Sequence, residues 1–122
     1  MRIISGSFKG KKIYEPKNKS TRPLKDLTKE SLFNIIQHSN KFSVQIKNSK
    51  ILDLFSGVGS FGLECLSRDA LHVTFIENYK EVLPVLKKNI VSLNYLKKSK
   101  IIEKDIFKHL DFNILNSKFD II

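Results

Sequence analysis

The sequence holds one cysteine, one methionine, three prolines, five glycines and no tryptophan. A lone thiol cannot form an internal disulfide. No base accompanies Cys65 to suggest a nucleophile, so it reads as a small apolar residue on a helix. None of the three histidines, His38, His72 and His109, stands at a metal-ligand spacing from another His or Cys, and no metal is expected. No apolar run exceeds a few residues, which excludes a membrane-spanning helix. The start, "MRIISGSFKG", lacks the apolar centre and small-residue cleavage site of a secretory signal. These absences lead us to expect a cytoplasmic protein with no membrane partner.

Acidic residues are scarce in one half only. Residues 1–50 carry 12 Lys and Arg against 3 Asp and Glu, whereas residues 51–122 carry 10 against 9, within a formal net charge of +10. Such an asymmetry suggests a polyanion-docking segment joined to a neutral core. A lysine-rich surface accounts for high total charge but not for its concentration in one half.

Short β-like runs at 2–5 and 11–14, punctuated by Gly6 and Gly10, predict a hairpin with lysines at its turn. "EPKNKSTRP" (15–23) is a polar loop. In "LKDLTKESLFNIIQH", Thr28, Leu32, Phe33 and Ile36 form a helical stripe, with Asp26 as N-cap or first-turn acid. From Lys50 the pattern changes. "KILDLF" predicts a strand, residues 60–68 a helix, and "HVTFIE" (72–77) a second strand. Asn78 and Glu81 predict a capping box for a helix with Val82, Leu86, Ile90 and Leu93 on one face and Pro84 inside it. "KIIEKD" (100–105) is a third strand, "IFKHLDFNIL" a short helix or turn, and "KFDII" the start of a fourth strand. This alternation is the signature of an α/β fold, a parallel sheet with helical crossovers.

Ligands of such sheets lie beyond the carboxyl ends of the strands. Three acids, Asp53, Glu77 and Asp105, fall at or just past those ends. Between the first two, Gly57, Gly59 and Gly62 spell G-x-G-x-x-G. The motif alone is a weak sign, because it shows only that something approaches the backbone before a helix N-terminus. An acid at Asp53 opposes a pyrophosphate nearby and suits a positive centre. S-adenosylmethionine offers a sulfonium and an ammonium, with a carboxylate for the helix N–H groups. Glu77 can accept from ribose hydroxyls in either cofactor class, and Asp105 from the adenine amine.

"MRIISGSFKGKKI", "TRPLKDLTKESLFNII", "ILDLFSGVGSFGLECLSRDA" and "FIE" resemble, in that order, the bacterial RsmD family of 16S rRNA guanine-N2 methyltransferases. The resemblance runs from Met1 to Ile122. It implies a Rossmann-like class I methyltransferase fold, with residues 1–23 a basic hairpin and loop for RNA and 24–122 the N-terminal part of an S-adenosylmethionine-binding domain. It assigns Asp53, Phe55, Ser56, Gly57 and Gly59 to the methionine side, Glu77 to the ribose, and Asp105 with Ile106 to the adenine. Arg2, Lys9, Lys11, Lys12 and Arg22 are the expected RNA contacts. Leu24 and Lys25 stand where the family often has Thr-Thr, Leu27 where Arg is common, and Asp69 where Gly is usual.

The family's catalytic motif, an acid or Asn followed by Pro-Pro and an aromatic residue, is absent and would follow "FDII". The resemblance therefore implies a catalytic end beyond Ile122, no catalytic residue in this chain, and no methyl transfer by the 122 residues alone. The expected partner is 16S rRNA, within small-subunit particles, and the expected state a monomer. A non-catalytic RNA-binding remnant and an NAD-dependent oxidoreductase are the other readings. The latter leaves Asp53 and the basic hairpin unexplained.

Overall fold

The apolar, β-branched runs of the second half form the sheet that organises the molecule. The computed structural model describes residues 1–17, 24–41, 43–108 and 118–122. Its elements are α1 (Asp26–His38), β1 (Lys50–Asp53), α2 (Ser60–Ser67), β2 (His72–Ile76), α3 (Leu83–Ser92) and β3 (Ser99–Ile102), with a short 3-10 turn at Leu96–Lys98. The strands lie in the order β1-β2-β3. They are all parallel, with Asp53 opposite Phe75 and Ile76 opposite Ile102. Ile121 makes a further parallel bridge to Ile51, and the Leu52 amide donates to the Ile121 carbonyl at 2.9 Å. The "FDII" segment thus lies on the other side of β1. Strand order reverses at β1, and sheets of this kind bind ligands at such a reversal, beyond the carboxyl ends of the strands.

α2 covers β1 and β2 and is buried along nearly its whole length. Its close seat depends on Gly62, where an added Cβ would lie 2.4 Å from Phe75 Cε1. Ile51, Val73, Phe75, Leu63, Leu66, Leu86 and Ile90 form the centre of the core.

The predicted hairpin is present in minimal form. Arg2 and Lys12 form an antiparallel bridge, flanked by Ile3 N–H to Lys11 O at 2.9 Å and Ile13 N–H to Met1 O at 3.0 Å. Ile3 and Ile13 reach the common core. The hairpin lies along α2. Its Ile4 and Ser5 amides donate to the Glu64 carboxylate at 2.8 and 3.0 Å. Gly6 passes so close to the Ser67 carbonyl that a Cβ would sit 1.8 Å from its oxygen.

Three local expectations are corrected. The buried face of α1 is Lys29 and Phe33, with Ile36 half-buried, whereas Thr28 and Leu32 are exposed. The helix is turned so that the Lys29 ammonium meets Glu64, at 3.2 Å. Asp26 lies in the first turn, one of the two places expected for it, and Lys25 takes the N-cap position. Asn78 and Glu81 do not cap α3, which starts at Leu83. The Glu77 carboxylate takes the Asn78 and Tyr79 amides, both at 3.0 Å, and folds this stretch into a turn. Pro84 consequently stands in the first turn of α3, where its missing N–H costs no helical bond. Asp69, at the position where glycine is usual, has φ of 70°, a conformation glycine adopts without strain.

Candidate cofactor crevice and basic surface

The loop from Leu54 to Gly59 joins the end of β1 to the N-terminus of α2. Its shape follows from ties to the end of β2. The Ser56 amide and hydroxyl both donate to the Ile76 carbonyl, at 3.2 and 3.1 Å. The Gly57 amide donates to Glu77 Oε2 at 2.9 Å. Ser56 is buried and turned inward, so its hydroxyl builds the loop. Glu77 Oε2 faces the loop with acceptor capacity left beyond the one bond from Gly57.

The three motif glycines differ. Gly57, with φ of 54°, has open space where a Cβ would stand. Gly59, the N-cap of α2 with φ of 91°, faces Leu86, whose Cδ1 would lie 2.7 Å from a Cβ. Gly62 faces Phe75. Only Gly57 presents bare backbone to the crevice; the other two permit packing.

Asp53 sits at the mouth of β1. Burial pushes its carboxyl up from 3.8 to about 6 against the pull of the Gly62 amide, with the Glu77 charge raising it and the Phe55 amide lowering it. Gly62 lies in the first turn of α2, so Asp53 satisfies a free helix amide from the neighbouring strand. Its Oδ2 atom is buried and has no hydrogen-bond partner. A buried acceptor left open in this way calls for a donor.

Asp105 stands three residues past β3, where its Oδ1 accepts the Phe107 amide at 2.8 Å. Ile106 beside it is half-buried. Phe107 brings this segment across to the first loop: its ring lies 5.9 Å from that of Phe55, and both rings are exposed. The structure therefore ties Gly57 to Glu77 and brings the segment of Asp105 and Ile106 to Phe55 through Phe107, at the carboxyl ends of the strands. Phe107 carried no sequence signal beyond its place after the third acid.

Of the basic residues, Arg2 contacts Asp26 at 3.5 Å. Lys9, Lys11 and Lys12 are exposed on the hairpin. Arg22 and His109 lie outside the described residues. Phe8, beside the hairpin lysines, packs edge-on against Tyr95 at 5.3 Å and is committed to the core. Tyr14 is exposed, with Lys88 Nζ 3.9 Å and Lys12 Nζ 5.9 Å from its ring centre. Among the described residues no helix is long and apolar enough to cross a membrane. Among them, too, no group of three or more His, Cys, Asp or Glu is placed to hold a metal ion.

The family model described as "Conserved hypothetical protein 95" matches residues 1–122. "Ribosomal RNA small subunit methyltransferase D" of Haemophilus influenzae is 42% identical over 93 residues, covering 76% of this chain and 45% of its own length. The protein of the same name from Escherichia coli is 38% identical over 93 residues, covering 76% and 44%. Among solved structures, "Putative methyltransferase yhhF from Escherichia coli" superposes with a TM-score of 0.71 at 31% identity, covering 86% of this chain and 52% of that one. The chain spans about half the length of the curated relatives it matches.

Proposed function

We propose that this chain, which belongs to the conserved hypothetical protein 95 (RsmD) family, is the S-adenosylmethionine-binding part of an enzyme that methylates a guanine N2 amine in small-subunit rRNA. Its fold is the Rossmann-like class I methyltransferase fold. The observation that carries the cofactor reading is Asp53 Oδ2, a buried carboxylate oxygen with no partner at the mouth of β1. An ammonium donor placed there satisfies the oxygen and offsets the cost of burying its charge. A pyrophosphate in the same place meets two carboxylates, Asp53 and Glu77.

When bound, S-adenosylmethionine supplies a methyl group on a sulfonium, open to in-line displacement by the guanine amine. Asp53 holds the cationic end, and Gly57 lets it approach the backbone. Glu77 accepts from the ribose hydroxyls, and Asp105 and Ile106 frame the adenine. Arg2, Lys9, Lys11, Lys12 and Arg22 hold phosphates, which position the RNA without reading sequence. Residues 1–23 act as the docking hairpin and loop, and 24–122 as the cofactor-binding part. None of these residues is assigned to receive the N2 proton or to stack the base. An rRNA substrate in small-subunit particles, met by a monomer in the cytoplasm, completes this reading.

Titration calorimetry tests it. S-adenosylmethionine binds, NAD does not, and Asp53→Asn abolishes binding. Binding of NAD in preference to S-adenosylmethionine overturns the cofactor assignment.

A further inference from the structure

We infer that Lys88 and Lys12, gathered on the ring of Tyr14, form a phosphate-holding site for RNA that extends the docking surface from the hairpin onto α3. The inference rests on the RNA reading above and adds to it a residue outside the hairpin. Lys88 Nζ lies 3.9 Å from the centre of the Tyr14 ring and Lys12 Nζ 5.9 Å from it. All three residues are exposed. Two ammonium groups drawn to one ring repel each other, and no carboxylate pairs with either among the described residues. Three other acids have partners elsewhere. Glu15 contacts the N-terminal amine at 3.8 Å, Asp26 contacts Arg2 at 3.5 Å, and Glu103 takes Lys87 at 2.7 Å. An aromatic ring holding two uncompensated cations is suited to a polyanion, because the π face fixes the ammonium groups while their charge stays unneutralised.

The position of the cluster relates it to the crevice. Asn89, beside Lys88 and fully buried, accepts the Tyr14 amide on Oδ1 at 2.8 Å. Its Nδ2 donates to the Tyr14 carbonyl at 3.1 Å and to the Val58 carbonyl at 2.9 Å. Val58 lies between Gly57 and Gly59. One side chain, next to Lys88 in sequence, therefore ties the backbone of Tyr14 to the glycine loop. The hairpin's turn lies by contrast at the far end of α2, where Ser7 N–H meets the Ser67 carbonyl at 2.8 Å.

The test is the salt dependence of affinity for a fluorescein-labelled single-stranded oligoribonucleotide, measured by anisotropy with the full chain. On a single strand, removing one lysine that neutralises a phosphate lowers the slope of log affinity against log salt by about 0.7. Lys88→Ala is expected to lower it by that amount, and Lys88→Arg to keep it. Lys100→Ala, which removes an exposed charge beside His72 on the edge strand, is expected to leave it unchanged. A mutation acting through the fold alters affinity at all salt concentrations and leaves the slope intact. If Lys88→Ala keeps the full slope while Lys9, Lys11 and Lys12→Ala reduces it, the α3 site is refuted and RNA docking by the hairpin stands. If the unmodified chain shows no salt-dependent binding, both fall together.

Discussion

Lys29 of α1 and Glu64 of α2 form an ion pair, 3.2 Å apart, in which both side chains are fully buried. The pair is the centre of a knot. Lys29 Nζ also donates to the Arg2 carbonyl at 2.6 Å and the Ser60 hydroxyl at 3.3 Å. Glu64 accepts from Arg68 at 3.0 Å and from the Ile4 and Ser5 amides. One carboxylate thus joins the hairpin, α1 and α2.

Breaking that pair from one side leaves an uncompensated buried charge. Lys29→Ala is expected to destabilise the chain by about 3–5 kcal/mol. Glu64→Ala is expected to cost more, because it also strands two backbone amides. Urea unfolding measures both. A loss below about 1 kcal/mol for Lys29→Ala would show that the charges are screened and the knot contributes little.

The motif glycines separate stability from binding. Gly62→Ala forces a methyl into Phe75 and is expected to cost about 1–3 kcal/mol. Gly57→Ala meets no neighbour, and its left-handed backbone costs only about 1–2 kcal/mol. Its methyl nevertheless projects where a ligand must approach. Thermal melts and calorimetry together should show Gly62→Ala chiefly unstable and Gly57→Ala chiefly unable to bind. The same affinity in Gly57→Ala as in the parent chain would remove Gly57 from the site.

The strands and α2 were legible because apolar runs bounded by glycines and acids leave little choice of structure. The crevice was legible for a related reason: strand ends are countable, and acids in apolar runs stand out. What sequence reading missed were polar residues whose partners are remote. Lys29 gave no sign of burial, because its partner, Glu64, is distant in sequence and lies on another helix. Tyr14 gave no sign of its lysine partners, because they come from the hairpin and α3. Asn78 and Glu81 had the spacing of a capping box, but Glu77, one residue earlier, took the amides first.

Cys65 offers a check on the core. Burial, with Asp53 and Glu64 nearby, raises its thiol pKa far above the ordinary value, so the nucleophilic thiolate is suppressed in the folded chain. A thiol reagent at neutral pH is expected to leave native Cys65 unmodified. Labelling should appear with urea, over the same range as the loss of helical circular dichroism. Rapid labelling of the native chain would place the cysteine outside the core.

Asp53 links stability to binding with opposite signs. Its carboxyl titrates near 3.8 when unfolded and is raised to about 6 in the fold. The folded state therefore holds the proton more tightly. The protonated carboxyl favours folding fully below about pH 4, and that contribution is lost as pH rises through about 6. Above that, burying the charge costs on the order of 2–3 kcal/mol. Asp53→Asn keeps an acceptor for the Gly62 amide and carries no charge. It should be the more stable protein near pH 8, and the difference should vanish near pH 4. A cationic ligand reverses the preference, since it favours the ionised carboxylate. Affinity for S-adenosylmethionine should then rise with pH through about 6, with a proton released on binding in more acid solution. Asp53→Asn should lose both the affinity and its pH dependence. Urea melts at the two pH values, with calorimetry in buffers of different ionisation enthalpy, measure the two effects separately. A variant less stable near pH 8, or binding as tightly as the parent, would mean that the open oxygen of Asp53 is not where the cation sits.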